Sequence, residues 1–289
     1  MPKKINEYII EKCIKFSGFA VIGFVFLIFL FLLKDSLALF GEYSISQFLF
    51  GGKWLPISEP PKFGIIPLLL GSIYVTVGAI IVCVPIGIGT AMFIAEVAPN
   101  ILKHILKSLI EILASIPSVV LGFIGIVWLG PFLKSTFHLP TGMCGMTGSL
   151  LLAFMALPTI ISISEDALVG VPKSFKEAAY GLGATRWQTL WRIVLPSASS
   201  GIIAAMMLGI GRVIGETMVV MMVTGNAPVI PHSILQPLRT LTATIAGEMG
   251  ETVSGDTHYF ALFAVGLVLF VITFLINLAA DIFLRKARR

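Results

Sequence analysis

Long apolar stretches, almost free of ionisable side chains, recur along this chain: Phe16 to Leu33, Gly64 to Ala95, about Ile112 to Leu133, Gly148 to Ser164, Gly201 to Val223 and Tyr259 to Ala280. At about 1.5 Å per residue they are of the length needed to cross a hydrocarbon core about 30 Å thick, the fourth being the shortest. Their Gly and Pro residues are of the kind that membrane bundles tolerate. The pattern predicts an all-α membrane protein with six transmembrane helices. Residues 16–284 form one transmembrane domain, between a short N-terminal segment, 1–15, and a basic tail, 285–289. The first run follows four lysines, and Ser36-Leu37-Ala38 resembles a weak cleavage site, so a signal peptide is the alternative there. The run is longer than an ordinary signal-peptide core and is expected to remain as a membrane helix.

Composition agrees: 57% of the 289 residues are apolar, 12% are charged, and the mean hydropathy is +0.98. Disordered, collagen-like and disulfide-stapled classes are excluded. Cys13, Cys83 and Cys144 form no CxxC pair, so neither a disulfide framework nor a metal site is expected. The net charge of +5 belongs to the membrane surface and not to a nucleic acid. Lys3, Lys4, Lys12, Lys15, Lys103, Lys107, Lys173, Lys176, Arg186, Arg192, Arg285, Lys286, Arg288 and Arg289 fall in alternate segments on one side, against Lys34, Lys53, Lys62, Lys134 and Arg239 on the other. The positive-inside rule then places both termini in the cytoplasm, and membrane lipid is the surrounding partner.

The cytoplasmic loop 165–196 carries more local design than a connector needs. Ser174 and Glu177 have the S-x-x-E spacing of a capping box, which predicts a short helix from about Phe175, limited by Gly181 and Gly183. Thr185 and Gln188 form a second box, opening a helix from Arg186 towards Leu195, where Pro196 interrupts the path. Trp187 and Trp191, four apart, suit interfacial anchoring. A rigid protrusion of two capped helices is something a cytoplasmic partner could push or pull, although the boxes would also serve simply to end helices.

Glu177-Ala178-Ala179, then Gly183, then Ile193, Leu195 and Pro196 follow the pattern EAA, three residues, G, nine residues, I-x-L-P. This resembles the EAA loop of binding-protein-dependent ABC importer permeases. The resemblance implies a type I importer permease fold, with Glu177 through Gly183 supplying the helix that docks on an ATPase subunit.

Within the fifth run lie two charges, Arg212 and Glu216, four residues apart and therefore expected on one helix face near or just beyond the midplane. Ionisable groups at that depth cost about 2.5 to 3.5 kcal/mol each and usually face a bundle interior or a cavity, which makes the pair a substrate-pathway candidate. A self-neutralising i,i+4 pair is the plainer alternative, though the acid-first order is the better one for helix support. Gly209, Gly211 and Gly215 would let a neighbouring helix approach closely. A guanidinium suits a tetrahedral oxyanion. Glu216 would then admit phosphate, which keeps a proton to donate, and repel sulfate. The segments from Gly211 to Met218, Val223 to Asn226 and Leu238 to Glu251 resemble C-type (PstC-like) permease subunits of the bacterial phosphate (Pst) importer. That resemblance implies a second, A-type permease subunit, an ATPase homodimer and an outer phosphate-binding protein as partners, with ATP and Mg used by the ATPase and no cofactor bound by this chain.

Gly51-Gly-Lys53-Trp54 lacks the spacing of a phosphate-binding loop, so the chain is not expected to hydrolyse ATP. His104, His138, His232 and His258 are scattered, and Glu248, Glu251 and Asp256 form an acidic cluster expected to be a solvated rim. Arg239 could meet a binding protein, attract anions or be a rim charge. Residues 238–249 are expected to include a short surface helix. Permeases for sulfate, molybdate or phosphonate share the loop. A self-sufficient secondary anion transporter is the reading from another class.

Overall fold

The computed structural model describes residues 2–287. Arg288 and Arg289 of the basic tail lie outside them, as do the side chains of Lys3, Lys4, Arg285 and Lys286.

The helices, in order, are α1 (Pro2–Glu42), α2 (Ile45–Phe50), α3 (Ile66–Met92), α4 (Asn100–Ser115), α5 (Ser118–Ile124), α6 (Gly130–Phe137), α7 (Gly145–Val169), α8 (Lys173–Gly181), α9 (Arg186–Thr189), α10 (Leu195–Ser197), α11 (Ser199–Gly215), α12 (Met218–Val223), α13 (Leu241–Glu248) and α14 (Thr257–Ala287). Wider π-helical turns extend α3 over Phe93–Val97, join α5 to α6 over Gly125–Leu129, and join α9 to α10 over Leu190–Val194. A two-residue hairpin pairs β1 (Trp54–Leu55) with β2 (Lys62–Phe63).

Among the described residues five stretches are long and apolar enough to cross a membrane: Ile10–Glu42, Ile66–Val97, Ser118–Phe137, Gly145–Val169 and Thr257–Ile282. A sixth qualifies only if Arg186–Ser197 and Ser199–Gly215, bent by 68° at their junction, are taken together. Two expected spans are therefore redrawn. The run from Ile112 to Leu133 is not one helix: α4 ends at Ser115, and Ile116 is extended with ψ 124°. The cause is Pro117, whose ring disfavours helical backbone at the residue before it. The run from Gly201 to Val223 is likewise two helices, broken at Glu216 and Thr217.

α3 and α7 form the centre, where Val75, Ala79 and Cys83 pack with Leu152, Ala156 and Ile160. Small residues permit close contact, and the Ser149 hydroxyl donates to the Val75 carbonyl at 3.1 Å. α11 runs antiparallel to α7, with Gly201 against Ala167 and Gly209 against Ile160. α1 packs along α14, where Phe29 and Phe270 meet at 5.6 Å. A second core joins Leu39, Phe48, Trp54 and Phe63 to Leu241, Leu262 and Val265 at the end of the bundle away from α8.

Candidate functional site

α8 sits where the chain leaves α7, and local sequence fixes both of its ends. The first expected capping box does not form. Pro172 is extended and the helix starts at Lys173, so Ser174 is already inside the first turn and makes no cap hydrogen bond. The far end closes on Gly183, whose φ of +82° favours glycine. Ala184 N–H donates to the Ala179 carbonyl at 3.0 Å and Gly183 N–H to the Tyr180 carbonyl at 3.0 Å, which together make a Schellman motif. The second expected box is complete: Thr185 Oγ1 accepts from Gln188 N–H, and Gln188 Oε1 accepts from Thr185 N–H at 2.9 Å.

Of the motif residues, Ala179 is buried while Glu177 and Ala178 are exposed. Around them Phe175, Tyr180, Leu182 and Trp187 also stand exposed, Leu182 by 90%. Lys176 is ion-paired with Glu96 in the π-helical extension of α3. Lys107 of α4 pairs at 2.6 Å with Glu165, which is buried near the end of α7. These two bridges join residues far apart in sequence and have no motif that announces them.

Arg212 and Glu216 do not share a helix face. α11 stops at Gly215, and Glu216 is extended with φ −71° and ψ 132°. Arg212 Nη1 donates to Thr159 Oγ1 at 3.3 Å. Thr159 is close to the middle of α7, so the guanidinium sits at mid-height in the bundle. Glu216 turns the other way. Its Oε1 accepts from Met218 N–H at 3.0 Å and Val219 N–H at 3.2 Å, the first amides of α12. A carboxylate placed there answers donors that a helix start leaves unpaired, which explains the break that the apolar pattern hides. The pair thus flanks a discontinuity in the helix. Gly209 is closed against Ile160, whereas Gly211 and Gly215 face open space and Arg212 is exposed on the same free side of α11.

Above the break lies α13. It is not the surface helix expected, because Leu241, Thr242, Ala243, Thr244 and Glu248 are all buried. Nor is Glu248 part of a solvated rim: Trp54 Nε1 donates to its Oε2 at 3.0 Å, His258 Nε2 lies 2.9 Å from the same oxygen, and Arg239 Nη1 donates to Oε1. His258 also stacks on Phe63, with ring centres 6.1 Å apart. The cluster borders a cleft of about 400 Å³ that Ile57, Pro228 and Glu251 help to line. Among the described residues no His, Cys, Asp or Glu cluster could hold a metal ion.

Residues 84–289 match the family described as "Binding-protein-dependent transport system inner membrane component". The chain belongs to that family. It is therefore a multi-pass inner-membrane transport component, and several curated relatives align over most of its length. The chain is 41% identical over 249 residues to the phosphate transport system permease protein PstC of Mesorhizobium japonicum, covering 80% of this chain and 75% of that one. PstC of Haemophilus influenzae is 32% identical over 314 residues, covering 99% and 97%. The probable ABC transporter permease protein YqgH of Bacillus subtilis is 42% identical over 229 residues, covering 79% and 74%.

Solved structures agree on the fold of this family member. One is an inward-facing MetNI methionine ABC transporter chain, with TM-score 0.61, 21% identity, and coverage of 81% of this chain and 100% of that chain. Another is a bacterial alginate ABC transporter in complex with an alginate-bound periplasmic protein, with TM-score 0.61, 16% identity and 92% coverage of both chains.

Proposed function

We propose that this chain is the transmembrane permease subunit of an ATP-driven, binding-protein-dependent importer of inorganic phosphate. The observation that carries the proposal is one cation and one acid, Arg212 and Glu216, at a helix break at mid-height in the bundle of a chain whose relatives are named phosphate permeases. Arg212 offers a phosphate a charged, planar, forked donor. Glu216 commits Oε1 to α12, which leaves Oε2 to accept the proton that phosphate retains and sulfate lacks.

At the other end, Glu177, Ala178, Ala179 and Gly183 form the docking helix for a partner ATPase, which uses ATP and Mg while this chain binds neither. The exposed Phe175, Tyr180 and Leu182 extend that surface. A second, A-type permease subunit covers the open side of α11, an ATPase homodimer meets α8, and a phosphate-binding protein delivers substrate at the α13 end. The termini lie in the cytoplasm, and the bent path of Arg186–Ser197 with Ser199–Gly215 counts as one of six spans.

The test is phosphate uptake by the assembled complex in proteoliposomes. Glu216→Gln is expected to slow phosphate uptake and to admit sulfate from a sulfate-loaded binding protein. Uptake of phosphate at the unaltered rate with sulfate still excluded would overturn the role of Glu216, and uptake by this chain alone would overturn the importer reading.

A further inference from the structure

We infer that Thr242 is a positioning residue for Glu216, acting through the backbone. The inference rests on the proposed role of Glu216 and adds the device that holds it.

Thr242 is buried on α13, and its Oγ1 lies 2.9 Å from the Glu216 carbonyl oxygen, 26 residues away in sequence. A carbonyl only accepts, so the Thr242 hydroxyl spends its single proton there. Thr242 Oγ1 also lies 3.1 Å from Thr240 Oγ1, and with its proton already committed it accepts at this contact. Thr240 therefore donates to Thr242, while its oxygen accepts from Ala243 N–H at 3.2 Å as the α13 cap. The direction of every bond is settled. Protons point in series from the α13 backbone, through Thr240 and Thr242, to the Glu216 carbonyl, and bonds in such a series polarise one another.

Glu216 is extended between two helices, where no ladder of its own holds the carbonyl. Its side chain is tied by Met218 and Val219, and its carbonyl by Thr242. Both ties fix the direction in which Oε2 faces. α13 is in turn clamped at each end. Leu241 N–H donates to Ser72 Oγ of α3 at 2.9 Å, and Arg239, just before the helix, reaches over its length to Glu248, its last residue. Trp54 and His258 hold the same carboxylate from the hairpin and from α14. A rigid α13 is what a single hydroxyl needs if it is to set the position of a residue on another element.

The experiment compares Thr242→Val, Thr242→Ser and Glu216→Gln in the full complex with its binding protein, in proteoliposomes. Maximal phosphate uptake, the binding-protein concentration at half-maximal uptake, and the melting temperature of the purified complex are all measured. Thr242→Val keeps the shape and deletes the proton; maximal uptake is expected to fall about tenfold, the effect of one well-formed hydrogen bond. Half-saturation is expected to stay unchanged, the melting temperature to fall by no more than the loss of one buried hydrogen bond, and Thr242→Ser is expected to restore the rate. Wild-type uptake by Thr242→Val, equal losses in the Val and Ser variants, or a rate loss fully accounted for by less folded complex at the assay temperature would each overturn the inference. If Glu216→Gln transports as the wild type does, the reading of Glu216 fails first, and a Thr242 effect cannot then run through it. If Glu216→Gln is impaired while Thr242→Val is not, only the positioning role is lost.

Discussion

Lys176 on α8 is ion-paired with Glu96 beyond the end of α3, a contact between residues 80 apart in sequence. Both side chains are mostly buried, so the pair is better shielded than a surface bridge. α8 is thereby fastened to one of the two central helices and not only to the chain that flanks it. Replacing Lys176 with Met is expected to reduce phosphate uptake about threefold to tenfold while the ATPase still co-purifies, because the proposed docking face remains but its tether is cut. Uptake and co-purification measured on the same preparation check this.

Gly183→Ala places a β-carbon on a residue at φ +82°. The strain is about 1 to 2 kcal/mol, enough to open the Schellman closure between α8 and α9. No neighbouring atom lies within 4 Å of the added carbon, so the effect is one of backbone and not of collision. ATPase binding is expected to weaken about tenfold, and Gly183→Asn, which tolerates this conformation better, should weaken it less. A titration of the ATPase against the two variants distinguishes them.

Thr185→Ala removes one half of a complete capping box and should cost α9 about 1 kcal/mol. Faster amide exchange at Gln188, with the exchange of α7 unchanged, is the expected signature.

Glu248→Ala leaves the Arg239 guanidinium, already holding a buried Nε without a partner, without its carboxylate. Breaking a buried pair from one side costs about 3 kcal/mol, so a clear fall in melting temperature is expected. Trp54→Phe removes the indole donor and also leaves a gap at a fully buried site, and should cost about 2 to 3 kcal/mol. Thermal unfolding of the purified complex gives both values.

The Lys107 amine is held above its ordinary value of 10.5, chiefly by its hydrogen bond to Glu165, against the opposing effect of burial. A raised folded value means that the bridge stabilises fully below the unfolded lysine range and is lost as pH rises through the folded value. The stability difference between wild type and Lys107→Met is therefore expected to be constant from about pH 6 to 9 and to shrink only above the lysine range near 10.5. Unfolding measured across that range checks the sign.

What could be read from sequence was what depends on nearest neighbours. Apolar runs of sufficient length locate α1, α3, α7 and α14, because spanning needs only a continuous apolar helix. The Thr185 box and the left-handed Gly183 follow from residues three or four apart. The Ser174 box does not form although its spacing is right, since Pro172 starts the helix two residues early. Hydropathy also passed over Pro117, because it counts polarity and not backbone direction. Glu216 was found as a charge, but not as a helix break, since its carboxylate satisfies amides of the next helix and nothing nearby signals it. The joining of Trp54 to Glu248, 194 residues apart, has no local signal at all.

The free side of α11 has a consequence for the life of the chain before it meets its partners. Arg212 stands exposed there beside two glycines that cover nothing. Were that side turned to lipid, the guanidinium would cost about 2.5 to 3.5 kcal/mol, and the proposed second permease subunit, lining the same space, would remove that penalty. The residue proposed to receive the anion would then also be a quality mark on assembly: a copy inserted alone would carry a poorly solvated charge held, among the described residues, only by Thr159, and should turn over faster than a copy in the complete importer.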